Sequence, residues 1–219
     1  MTMRLVQTLV VLACLGSQPL ASAAELRAAV NDSKGNPLPD AVVVAVPEDD
    51  QVPPAKPGAT VEDQVDKEFV PYVQPVRVRT YVNFPNKDNI RHHVYSFSAA
   101  KRFELPLYSG TPTAPVLFDK VGVVLLGCNI HDWMIGYIYV TDAPYFGKTT
   151  GQGHVELTGL RPGAYRVRVW HPRLMVTEES TTRRVEIQNN APNTIQWNLE
   201  LKREFRPRRA PLPDDPGYR

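Results

Sequence analysis

A chain of 219 residues has room for one large domain or two small ones, each with an ample core. Its charges nearly cancel, 25 basic against 23 acidic, so nothing in the balance asks for a nucleic-acid partner. The two cysteines are too few for a disulfide framework.

From the N-terminus, Arg4 is the only charge before a short apolar run over residues 5–15, and Ala21, Ser22 and Ala23 offer small side chains at a cleavage position. This predicts a secretory signal peptide over residues 1–23 and export to the periplasm. The apolar run is too short to span a bilayer, and no later segment approaches the length needed. A second reading makes Cys14 a lipoprotein acylation site, for which Leu12 is a poor fit. With Cys14 in the leader, the exported chain keeps Cys128 alone. A lone thiol in an oxidising compartment is buried, catalytic or metal-bound.

Helical periodicity is scarce, prolines number 21, and strand-sized segments alternate with turn signals, so the chain reads as all-β. Residues 26–30 and 40–46 are predicted strands joined by a polar turn over 31–37. Residues 47–62, with four prolines and several charges, read as an exposed linker or loop. Residues 69–72 and 76–84 are predicted strands, 86–89 a turn, and 94–97 a further strand. Residues 103–116 read as Pro-rich and irregular, leading to an apolar strand over 121–126 that ends at Cys128. A second β-branched and aromatic run over 137–140 follows. Beyond a turn over 148–153, strands are predicted at 154–157, 165–170, 183–187 and 194–201. Tyr165, Val167 and Val169 alternate strictly with Arg166 and Arg168. Lys202, Arg203, Arg206, Arg208 and Arg209 stand among prolines before Asp214 and Asp215, a basic Pro-rich tail over 202–219.

The chemistry concentrates at Cys128-x2-His131-x2-Met134. A thiolate, an imidazole and a thioether fall within seven residues, on a tight loop between two strands able to pair back to back. One further imidazole would complete two histidines and a cysteine with a weak axial methionine, the blue-copper electron-transfer set. His92 and His93 both offer it, at the start of the strand after the polar turn. Successive strand side chains point to opposite faces, so the two cannot easily reach one ion. His154 and His171 lie away from the cluster and read as structural or surface residues. Asp132 reads as tuning His131, capping a turn, or an exposed loop carboxylate. Trp133 reads as part of an apolar surface around His131 or as packing under the loop.

Two runs, Asn86-x-Asp88-x3-His92-x-Val94 and Cys128-x2-His131-x2-Met134-x-Gly136-x-Ile138-x-Val140, resemble cupredoxins, and the short ligand loop is similar to that of amicyanin. The resemblance covers residues 66–142. It implies a cupredoxin Greek-key β-sandwich holding one copper ion through His92, Cys128, His131 and Met134, with His92 preferred over His93 on its spacing from Asn86. His93 stands where cupredoxins usually carry an Asn that bonds across to the cysteine loop, and Val121 stands where they usually carry Pro. In wording the chain also resembles periplasmic proteins of methylamine-utilisation type. Residues 30–43 and 150–167 resemble carboxypeptidase-regulatory, transthyretin-like (prealbumin-like) sandwiches. This implies a split sandwich over 24–47 and 145–201, with the metal domain inserted between its halves; a mutually packed pair of sandwiches fits equally.

A soft thiolate stabilises Cu(I), imidazoles suit either copper state, and a weak axial thioether favours the reduced ion. No open coordination position or spare general base is evident, which argues against an enzyme. The expectation is an electron carrier docking transiently with periplasmic redox proteins such as a cytochrome or dehydrogenase. A structural zinc site is disfavoured by Met134, and a Cys–His nucleophile by the lack of an orienting residue and oxyanion loop. Copper carriage or assembly, with the second sandwich binding a partner, is the alternative from another class. It wants a Met- or His-rich exchangeable site, and the exported chain has only Met134 and Met175.

Overall fold

A computed structural model describes residues 24–49, 51–112, 114–189 and 191–203. The predicted leader lies outside them, as does the tail beyond residue 203. In chain order the strands are β1 (Ala24–Asp32), β2 (Val42–Pro47), β3 (Gly58–Val61), β4 (Asp63–Val65), β5 (Glu68–Val70), β6 (Val73–Arg77), β7 (Thr80–Asn83), β8 (His92–Ser98) and β9 (Lys101–Tyr108). They continue with β10 (Val116–Phe118), β11 (Gly122–Cys128), β12 (Ile135–Thr141), β13 (Tyr145–Lys148), β14 (His154–Leu160), β15 (Gly163–Trp170), β16 (Arg183–Ile187) and β17 (Asn193–Leu199). A 3-10 turn at Glu179–Thr181 is the only helical element among the described residues. No helix there is long and apolar enough to cross a membrane.

Of the five sheets among the described residues, the smallest is the β4-β5 pair, and the other four stack face to face. One is ordered β14-β1-β17 and the next β13-β2-β15-β16. Leu26, Val30, Val43, Val167 and Trp197 fill the space between them. The third is ordered β6-β12-β11-β8-β9 and the fourth β10-β7-β3. Phe84, Val94, Phe118, Leu126 and Ile138 fill the second core between these two. A third cluster joins the inner sheets: Val42 and Val44 on β2 meet Val73 on β6 and Tyr139 on β12, with Trp170 packed alongside. Alternate residues of β2 thus enter different cores. This explains its unbroken apolar run, since a strand buried on both faces has no polar side to show.

Three segments depart from the sequence expectation. Residues 47–62 are not all exposed loop: β3 pairs in parallel with β7, and Glu62 is fully buried. A parallel partner four strands later in the chain leaves no local signature. The expected strand over 76–84 is two strands, because Arg79 adopts a left-handed φ of 71° and Thr80 Oγ1 donates to Arg77 O at 2.6 Å. No glycine marks that turn. Residues 101–108 form β9, an edge strand, where Pro106 is tolerated because an edge leaves one side of its ladder unpaired.

Candidate metal centre

Three inward-facing positions build the centre. β11 enters with Val124, Leu126 and Cys128 on its core face. β8 lies beside it, Cys128 opposite Val94, so that His92 begins β8 next to the thiol. The chain then turns through residues 129–134, where Met134 N donates to His131 O at 3.0 Å and Ile135 N to Trp133 O at 3.0 Å. β12 returns antiparallel, with Gly127 opposite Ile135.

The turn brings His92 Nδ1 to 3.8 Å and His131 Nδ1 to 3.9 Å from Cys128 Sγ. All three donor atoms lie within 4.8 Å of one another. Metal–nitrogen and metal–sulfur bonds of roughly 2.0–2.3 Å place the donors of a shared ion at about such separations. His92 is 0%, Cys128 4% and His131 8% exposed. Met134, 1% exposed, belongs to the same core cluster as Cys128. No other group of three or more His, Cys, Asp or Glu donors converges in this way among the described residues. His154 and His171 stand outside it.

The far side of His92 is held by a carboxylate. Asp88 Oδ2 lies 2.7 Å from His92 Nε2. The same carboxyl accepts the amide N–H groups of Asp66 at 2.7 Å and Lys67 at 2.9 Å. Asp66 and Lys67 both take left-handed φ, 55° and 62°, so successive N–H groups form a nest for the anion. Burial raises the Asp88 pKa, but the bonds from His92, Lys67 and Asp66 outweigh it and hold the carboxyl below its ordinary value. An ionised Asp88 accepts a hydrogen bond from Nε2–H, which leaves the Nδ1 lone pair of His92 facing Cys128 and fixes the tautomer. Asn86 ties the turn together: its Nδ2 donates to Ile90 O at 2.8 Å and Tyr108 O at 2.9 Å, and its Oδ1 accepts from Asp88 N at 3.0 Å.

His93 faces the other side of the sheet. Its Nδ1 lies 2.7 Å from Asn129 Nδ2, and its Nε2 lies 2.9 Å from Glu104 Oε1. Although His93 replaces the expected Asn, it still bonds across to the cysteine loop. Gly127 has a steric role, since a Cβ there would come within 2.8 Å of the Tyr95 ring. His131 packs edge-on to His92 with centroids 5.1 Å apart and against Trp133 at 5.0 Å. Asp132 is exposed. Sequence reasoning quoted Asp88 within a motif but gave it no task; its place four residues before His92 on a polar turn was the available signal.

No family model matches the chain, and no curated protein matches it. Among solved structures it is similar to a Cu-containing nitrite reductase (NirK) from Thermus scotoductus SA-01, at 25% identity and a TM-score of 0.36 over 43% of this chain. That match spans only 25% of the reductase chain. It is also similar to a purple cupredoxin from Nitrosopumilus maritimus, at 20% identity and a TM-score of 0.33, covering 38% of this chain and 99% of that one. A single-site variant of amicyanin in its reduced Cu(I) form matches at 20% identity and a TM-score of 0.34, covering 44% of this chain and 97% of that one.

Proposed function

We propose that the protein is an exported, periplasmic copper protein of cupredoxin type that carries single electrons and catalyses no substrate chemistry. His92, Cys128 and His131 would hold one copper ion per chain, with the buried Met134 as a weaker fourth donor. The observation that carries this reading is the convergence of one thiol and two imidazole Nδ1 atoms within 4.8 Å, in a buried pocket. Such a donor set, once loaded, supplies a one-electron couple whose reduced state is favoured by thiolate and thioether.

The chain's own residues hold the donors still. Cys128 and His92 sit on paired strands, and His131 is gripped between His92 and Trp133. Asp88 locks the His92 ring from behind. Donors that stay put on oxidation and reduction keep reorganisation small, which suits electron transfer. Burial excludes water and leaves no evident route for a substrate. Ile130 is exposed on the same loop and gives an apolar face near His131 where a cytochrome or dehydrogenase can dock, an encounter that needs little area.

The same proposal divides the chain into a leader over 1–23, a split transthyretin-like sandwich over 24–47 and 145–201, a cupredoxin domain over 66–142, and a basic tail over 202–219. Two separate apolar cores, with strands of the first contributed by both ends of the chain, support that division. The test is voltammetry of the copper-loaded chain alongside exchange with a copper chelator. Reversible one-electron cycling with the ion retained is expected. Rapid loss of copper without reversible cycling would favour a carrier or assembly role.

A further inference from the structure

The outer face of the five-stranded sheet is covered along only part of its width. Toward β12 and β6, Val123, Tyr137 and Tyr139 pack beneath Val42, Val44 and Trp170. Toward β8 and β9 the face is bare. Phe97 is 75% exposed, the most exposed large apolar side chain among the described residues, and Leu125 is 45% exposed. Register puts Arg102 opposite Phe97, and both Glu104 and Gly127 opposite Tyr95. The bare patch therefore continues directly from the buried contact between the two inner sheets.

The patch is also wired to the metal centre. His93, Tyr95 and Phe97 form a ladder along β8, with centroid separations of 5.9 and 5.1 Å. Its inner end meets Asn129, next to Cys128, through His93. Its middle rung lies on Gly127, the residue before Cys128, close enough to forbid a Cβ there. Aromatic side chains held in water on a rigid strand mark an interaction surface. The charges beside it have one sign in excess. Arg102 stands opposite Phe97, Lys101 stands opposite Ser98, and Lys120 Nζ donates to Ala99 O at 3.2 Å. Two carboxylates stand among them, Asp119 at 3.9 Å from Lys101 and Glu104 opposite Tyr95, the latter taken up by His93 Nε2 at 2.9 Å, so the basic excess lies at the Phe97 end of the patch.

We propose that Tyr95, Phe97 and Leu125 form a docking surface for an acidic one-electron redox protein, separate from the loop around His131. Its redox half rests on the copper reading above; its docking half does not. One electron would pass by way of Cys128 between the bound copper and the docked partner, one side losing what the other gains, with no bond made or broken and no proton moved.

The first arm of the test titrates hexacyanochromate(III), an inert paramagnetic trianion, into the metal-free full chain and follows amide line broadening by NMR. Broadening centred on Phe97 and Arg102, and lost in Arg102→Glu, is expected. Broadening confined to residues 129–133, or spread evenly over the surface, would overturn the proposal. So would a dimer in sedimentation that Phe97→Ser dissolves, since the patch would then belong to a second copy. The second arm oxidises the reduced, copper-loaded chain with hexacyanoferrate(III). Arg102→Glu should slow it about tenfold at low salt while leaving the visible copper absorption unchanged; an unchanged rate counts against the route. If the unmodified chain shows no copper absorption, the electron-carrier reading fails with the redox half, and the NMR arm still decides the docking half.

Discussion

Each imidazole beside Cys128 has a second attachment: Asp88 behind His92 and Trp133 against His131. The Asp88 contact has the greater consequence, because a carboxylate behind a ligating imidazole fixes its tautomer and raises its basicity. Asp88→Asn should weaken metal affinity by about 10–100-fold with the fold intact, read by competition with a chelator and checked by circular dichroism. Unchanged affinity would reduce Asp88 to a turn residue. The convergence of Cys128 and His131 was legible in the sequence because one loop carries both. His92 was legible because a polar turn placed it at the start of the neighbouring strand. The role of Asp88 was not legible, since it depends on Asp66 and Lys67 offering their amides from a turn some twenty residues upstream.

Among the elements, β11 and β8 are held at contact distance by Gly127, which lets Tyr95 lie across the backbone before Cys128. Gly127→Ala forces the ring or the strand aside and should cost about 1–3 kcal/mol in urea denaturation, the usual penalty for overpacking. Tyr95→Ala in the same background should return part of that loss; if it does not, the contact is not the cause. The alternating strands from Gly163–Trp170 and Arg183–Ile187 were readable because one face of each is polar. β3 and β9 were not, since their pairing is decided by distant partners rather than by their own patterns. The turn at Arg79 was hidden for a related reason, being made by an arginine in a conformation that glycine usually supplies.

At the scale of the whole molecule, the two inner sheets are joined by an aromatic and charged seam. Tyr139 donates to Glu178 Oε1, which also accepts from Arg168 Nε at 2.5 Å, and Trp170 packs on Tyr139 with centroids 5.2 Å apart. Burial and the Glu178 charge push the Tyr139 phenol up, so it stays a donor. Trp170→Ala should cost about 3–5 kcal/mol in denaturant unfolding, as for other large aromatic side chains removed from a packed contact. Two buried groups set the pH dependence of stability. Burial, aided by Arg173 and opposed by Asp40, pushes His171 down to about 4. The unfolded chain takes that proton near pH 6.5, so stability should fall as pH drops from about 6.5 to about 4, by up to ~3 kcal/mol. His171→Gln should flatten that limb in pH-dependent urea melts. Glu62 is fully buried with neither carboxylate oxygen hydrogen-bonded, and desolvation raises its pKa well above the ordinary value. The unfolded chain releases that proton first, so this group removes stability as pH rises above the ordinary carboxylate range. Glu62→Gln should abolish that loss, and a variant less stable than the parent at neutral pH would contradict the assignment.

The measurement that bears most directly on the proposed copper centre is the visible absorption spectrum of the chain from residue 24 onward after addition of one equivalent of Cu(II), compared with Cys128→Ser. An intense thiolate-to-copper band that the substitution removes is the predicted result. A colourless chain that takes up zinc alone, or a band that survives without Cys128, would contradict it.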